Sequence, residues 1–174
     1  MDIFYMVLRV LHILGGIFWA GGATAFVLFV APAAAQTAPE SNKFMANLTD
    51  KQKLSVWMSV GAGINVLAGI LLFWRDSAGF NAAWFNSAFA MSFTIGALSG
   101  LVAFVVGIVF SRPRADRMGA LGKEIMMAGK PPTPEQMAEM KKLGGQLAFY
   151  GKLTIAFLVI TILGMALARP LGGS

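Results

Sequence analysis

The sequence predicts an all-α fold, a polytopic membrane protein built as a four-transmembrane-helix bundle with spans three and four extended as a cytoplasmic helical hairpin. Three observations predict it. Of 174 residues, 57% are hydrophobic and only 13% charged, far from the balance of a water-soluble domain. Four stretches reach the ~20 apolar residues that a hydrocarbon layer ~30 Å thick requires at a rise of about 1.5 Å per residue. The charges that do occur gather between those stretches.

The first span covers residues 6–30, and Asp2 and Arg9 are the only formal charges before Glu40. Ala31-Pro32-Ala33-Ala34-Ala35-Gln36 imitates a signal-peptidase site. The apolar stretch is longer than a signal core and lacks a basic leader, so it reads as a retained helix with Pro32 closing it. Span two covers 54–74, and Thr49 with Gln52 has the spacing of a capping box at its start. The link from Arg75 to Ser87 carries Phe80, Trp84 and Phe85, aromatics of the kind that anchor a loop at headgroup level.

Span three covers 88–110. Beyond it, residues 114–128 have helix-forming composition until Gly129-Lys130-Pro131-Pro132 forces a turn. Thr133-Pro134-Glu135-Gln136 then combines a cap, a proline at the first helical position and a capping box. The helix that holds span four, 147–168, therefore starts well outside the lipid. Residues 111–146 become the hairpin, and 1–174 a single membrane domain.

Charge sets the expected orientation. Lys43, Lys51 and Lys53 lie between spans one and two. Arg112, Arg114, Arg117, Lys123, Lys130, Lys141, Lys142 and Lys152 lie between or at the ends of spans three and four, leaving Arg9, Arg75 and Arg169 for the other side. By the positive-inside rule the connections 31–53 and 111–146 are cytoplasmic and both termini face outward. The net charge of +6 follows from these connections, so no nucleic-acid partner is expected.

Composition also removes whole classes of chemistry. The absence of cysteine excludes thiolate metal sites, iron–sulfur clusters, disulfides and cysteine nucleophiles. A single histidine, His12, removes most zinc, dinuclear copper and Ser-His-Asp chemistry. The spans hold no midspan carboxylate for a proton relay.

His12 is the one ionisable group well inside a span, ~9 to 12 Å from its outer end. Helical spacing places Gly15, Gly16, Trp19 and Gly22 or Ala23 on its face. Two readings stand side by side. In one, the glycines allow close helix crossing and His12 hydrogen-bonds to span two, where Asn65 shares a stripe with Gly61 and Gly69. In the other, His12 is an axial ligand to b-type haem, with Met91 or Met165 as sixth ligand and Arg9, Arg75 and Arg169 as propionate partners. Ser92, Gly96, Gly100, Ala103 and Gly107 make a smooth packing stripe on span three. Met118, Met126, Met127, Met137 and Met140 populate the hairpin; they read as packing residues, with Met137-x-x-Met140 a conceivable thioether pair for Cu(I) and no firm metal site.

The run Leu11-His12-Ile13-Leu14-Gly15-Gly16-Ile17-Phe18-Trp19-Ala20-Gly21-Gly22 resembles the opening helix of CopD-like bacterial membrane proteins, where a Leu-His pair precedes a Trp-x-Gly-Gly step. Arg112-Pro113, the turn from Gly129 to Gln136, and Met165-Ala166-Leu167-Ala168-Arg169 are similar to the later parts of uncharacterised four-helix members of that group. The resemblance implies a four-helix bundle of the bacterial cytoplasmic membrane associated with copper or haem handling. A more distant likeness is to HemJ-like haem-containing proteins, which have a histidine in the first span; the lysine they carry in a later span is missing from 88–110. The leading expectation is a non-enzymatic accessory subunit that meets lipid and packs with other membrane proteins or with itself. The alternatives are a haem-binding electron-transfer or oxidase-like protein and a copper-handling protein.

Overall fold

The computed structural model describes residues 2–38 and 40–171, and all secondary structure among them is helical. Four helices are long and apolar enough to cross a membrane: α1 (Ile3–Gln36), α3 (Leu54–Asp76), α4 (Ala88–Ala128) and α5 (Pro134–Leu171). Between α1 and α3 lies the short α2, an α-helical stretch Asn42–Ala46 continued by a π-helical turn Asn47–Lys51.

Asp2 opens α1 as an extended N-cap, its carboxylate accepting from the Phe4 amide at 3.0 Å. Pro32 does not close this helix, against the expectation from sequence. A proline normally breaks a helix because it has no N–H and its ring crowds the carbonyl four residues back. Here a π-helical turn, Phe26–Val30, immediately precedes it and widens the ladder, so the chain passes Pro32 and continues to Gln36. The same device recurs in α4, where the π-helical turn Val106–Ser111 precedes Pro113.

The capping box expected at Thr49 is also absent. Residues 42–51 are themselves helical, so the Thr49 hydroxyl turns back to the Met45 carbonyl at 2.9 Å, and α3 instead starts from Lys53 in a left-handed conformation. The box at α5 does form: the Gln136 amide donates to Thr133 Oγ1 at 3.2 Å and the Thr133 amide to Gln136 Oε1 at 3.0 Å.

The helices pack as two antiparallel pairs, α1 along α3 and α4 along α5. Trp19 is the hub between them. It is buried with Ala62, Ala103 and Leu158, one residue from each long helix, and meets Phe104 edge-on at 6.2 Å. Towards the connection between α3 and α4, Phe73 of α3 stacks on Phe93 of α4 at 5.6 Å, with Trp84 edge-on to both. Beneath these rings the link turns through three successive left-handed residues, Ala78, Gly79 and Phe80. Fully buried Ser77 holds that turn, donating to the Trp74 carbonyl and accepting from the Phe80 amide.

The α4–α5 hairpin continues past the apolar segments. Phe110 stacks on Tyr150 at 5.2 Å, Arg114 lies over the Tyr150 ring and bonds Gln146, and Arg117 grips Glu139 through two nitrogens at 2.8 and 3.1 Å. Leu121 and Leu143 are its buried residues. Met126, Met127 and Met137 are 60, 77 and 59% exposed, so these three methionines face outward instead of packing the two helices together.

Candidate functional site: the histidine notch between α1 and α3

His12 sits in the seam of the first helix pair. Its Nδ1 is 2.8 Å from the backbone carbonyl oxygen of Asn65. A carbonyl can only accept, so Nδ1 is the donor in this bond. The carbonyl has room for this second partner because an α-helical C=O uses one lone pair for the amide four residues on, here Gly69. Gly69 also supplies the space. A Cβ built there would stand 2.9 Å from His12 Cε1 and 3.0 Å from Nδ1, so any side chain would push the ring off the carbonyl.

The same logic runs down the seam, with a large residue on one helix set against a glycine on the other. The Asn65 side chain lies on Gly15 and Gly16, whose Cβ positions fall 3.1 Å from Asn65 Cβ and Oδ1 respectively. Phe18 fills the space over Gly61 at 2.6 Å, and Met58 Sδ that over Gly22 at 2.9 Å. Asn65 Oδ1 is buried without a hydrogen-bond partner and faces the Gly16 backbone. Sequence reasoning named the glycines but not Phe18 and Met58, the knobs that fill two of the notches.

The second seam is built differently. Gly96 and Gly164 meet backbone to backbone, a Cβ on Gly164 falling 2.8 Å from the Gly96 Cα, while Ser92 Oγ donates to the Gly164 carbonyl at 2.9 Å. Thr161 packs on Gly100 at 3.3 Å. Gly164 went unnamed in the sequence reading because it stands alone in a run of bulky residues.

At the N-terminal end of α1, Arg75 donates to Asp2 at 3.0 Å and its guanidinium carbon lies 4.8 Å from the Tyr5 ring centroid. The Phe4 amide, and after it the Arg75 guanidinium, hold the Asp2 carboxyl below its usual range. Arg9 reaches the same ring at 5.7 Å. The Tyr5–Arg9 spacing of one helical turn was the available signal for this cluster.

A b-type haem needs an imidazole, a sixth ligand, propionate partners and a slot for the macrocycle. The contacts of His12 run to α3, whereas Met165 belongs to the α4–α5 seam, its backbone 3.2 Å from the Gly96 Cβ position. Met91 is 59% exposed on α4, Arg75 is engaged by Asp2, and Arg169 stands exposed in the last turn of α5. Two surface clefts, of about 580 and 300 Å³, are lined by residues around Phe29 and Phe44 and around Phe18 and Trp57, away from His12. The contacts of His12 are with Asn65 and Gly69, and none of these candidate haem partners is among them. Among the described residues no three carboxylate or imidazole side chains gather as metal ligands. Comparison with family models, with curated proteins and with solved structures finds no match for this chain.

Proposed function

We propose that the chain is an integral membrane protein of four spans, with both termini outside the bacterial cytoplasmic membrane and the α4–α5 hairpin in the cytoplasm, acting as a non-enzymatic accessory subunit that packs beside other membrane proteins or its own copies. The observation that carries this reading is the broad apolar surface that the four long helices turn outward. Inside the bundle, His12 Nδ1 donates to a carbonyl of the neighbouring helix, in a notch shaped for the ring, and so holds α1 to α3. Large apolar side chains turned outward support the membrane part of the reading: Ile17 and Leu67 are both 66% exposed, and Phe29 69%, a surface suited to lipid or a neighbouring subunit.

Two measurements test it. The chain has no cysteine, so single replacements can map sidedness without background. An impermeant maleimide added to intact cells should label Ala82→Cys and spare Lys130→Cys; the reverse pattern inverts the orientation. Gentle detergent extraction and native sizing should find the chain in a larger assembly, and a chain that migrates alone even from native membranes sinks the accessory role. An absorption spectrum before and after dithionite checks the haem alternative independently: the purified chain should be colourless, and a Soret band lost in His12→Ala would restore that reading.

A further inference from the structure

Arg9 is a charge without an answer. It lies one helical turn beyond Tyr5, with Met6 and Ile13, 40 and 52% exposed, on its own side of the helix. Among the described residues it makes no ion pair, since Asp2 is bound to Arg75 and Asp76 to neither guanidinium. Two guanidiniums therefore stand on the Tyr5 ring with a single carboxylate between them. In water such a surplus is solvated at little cost. At the edge of a hydrocarbon layer it draws in a counter-ion, and the anion present at that depth is the headgroup phosphate.

We infer that Arg9, beside Tyr5 and Arg75, binds the phosphodiester of an anionic phospholipid. The planar guanidinium matches two phosphate oxygens at once. Met6 and Ile13, exposed on the same side of the helix, give the acyl chains a surface that inorganic phosphate could not use, which favours the lipid as the source of the anion. The inference rests on the proposed membrane insertion and is independent of which way the chain faces.

The test is reconstitution into nanodiscs of equal parts phosphatidylglycerol and phosphatidylcholine, followed by native mass spectrometry of the released protein. The unaltered chain should retain one phosphatidylglycerol in preference to phosphatidylcholine. Arg9→Gln should lower that bound fraction about tenfold, the worth of one charge-assisted hydrogen bond. Arg9→Lys keeps the charge and the stem, so an intermediate value there separates lost binding from lost folding. Millimolar inorganic phosphate should leave the lipid in place; displacement by it means a site for soluble phosphate and overturns the inference. Equal retention in the unaltered chain and Arg9→Gln overturns the lipid site while leaving the membrane reading standing. Failure of the unaltered chain to enter nanodiscs at all overturns both.

Discussion

The two helix pairs solve the same problem in opposite ways. The α1–α3 seam sets large side chains into glycine notches along most of its length, with one close backbone approach where the Gly15 Cβ position falls 3.1 Å from the Gly61 carbonyl oxygen, and His12 adds an interhelix hydrogen bond. The α4–α5 seam sets glycine on glycine, so the backbones themselves meet at Gly96 and Gly164 and a serine hydroxyl bonds across. In the bilayer proposed for these helices, lipid tails are as apolar as leucine, so burying apolar surface gives little drive for association, and shape with a few polar contacts must hold the helices together. A notch filled by a flexible side chain can yield, whereas a backbone contact cannot. Where α4 and α5 leave the apolar segments the same two helices switch to ring stacking and a guanidinium–carboxylate pair, Arg117 with Glu139, the latter a contact that salt can weaken.

The largest expected effect is at the backbone contact. Gly164→Ala should destabilise the protein by about 2–3 kcal/mol, the range for overpacking where neighbours cannot move. Gly22→Ala, which meets only the flexible thioether of Met58, should cost under about 1 kcal/mol. Unfolding of both variants in mixed micelles with increasing dodecyl sulfate measures the difference, and equal losses would erase the contrast between the seams. Next comes the notch: Gly69→Ala should cost about 1–2 kcal/mol by displacing the His12 ring. Because His12→Ala removes the same contact, the double variant should lose less than the two single losses added together, and simple additivity would mean that the ring does not depend on the glycine.

Outside the apolar segments the effects shrink. Thr133→Ala should cost about 1 kcal/mol and fray only the first turn of α5, seen as faster amide exchange there with none in α3. The smallest effect is electrostatic. The Arg117 guanidinium, chiefly through its hydrogen bonds, holds the Glu139 carboxyl below its ordinary value. That contribution is therefore fully present above the ordinary glutamate pKa of about 4.3, begins to fall once the pH drops beneath it, and is gone below the depressed folded value. Arg117→Ala should flatten this acid-side loss in a pH series of hairpin exchange rates, and added salt should weaken the pair; an unchanged pH profile would show that the pair contributes nothing.

The sequence by itself determined the number and type of the long helices, the turn at Gly129, and the cap at Thr133. These follow from composition, hydrophobic run length and local hydrogen bonds between residues three apart, all of which are written along one stretch of chain. It could not determine that Pro32 and Pro113 lie inside helices, because the π-helical turns that admit them depend on how the flanking segments pack. Nor could it tell which helix each glycine faces, since helical periodicity assigns residues to a stripe and says nothing of the stripe opposite. Only the tertiary structure decided that His12 meets the Asn65 carbonyl, that Gly164 lies against Gly96, and that Arg9 and Arg75 share one tyrosine. The physical reason is that these contacts need complementary shape across two helices, and complementarity is a property of the pair that neither helix carries alone.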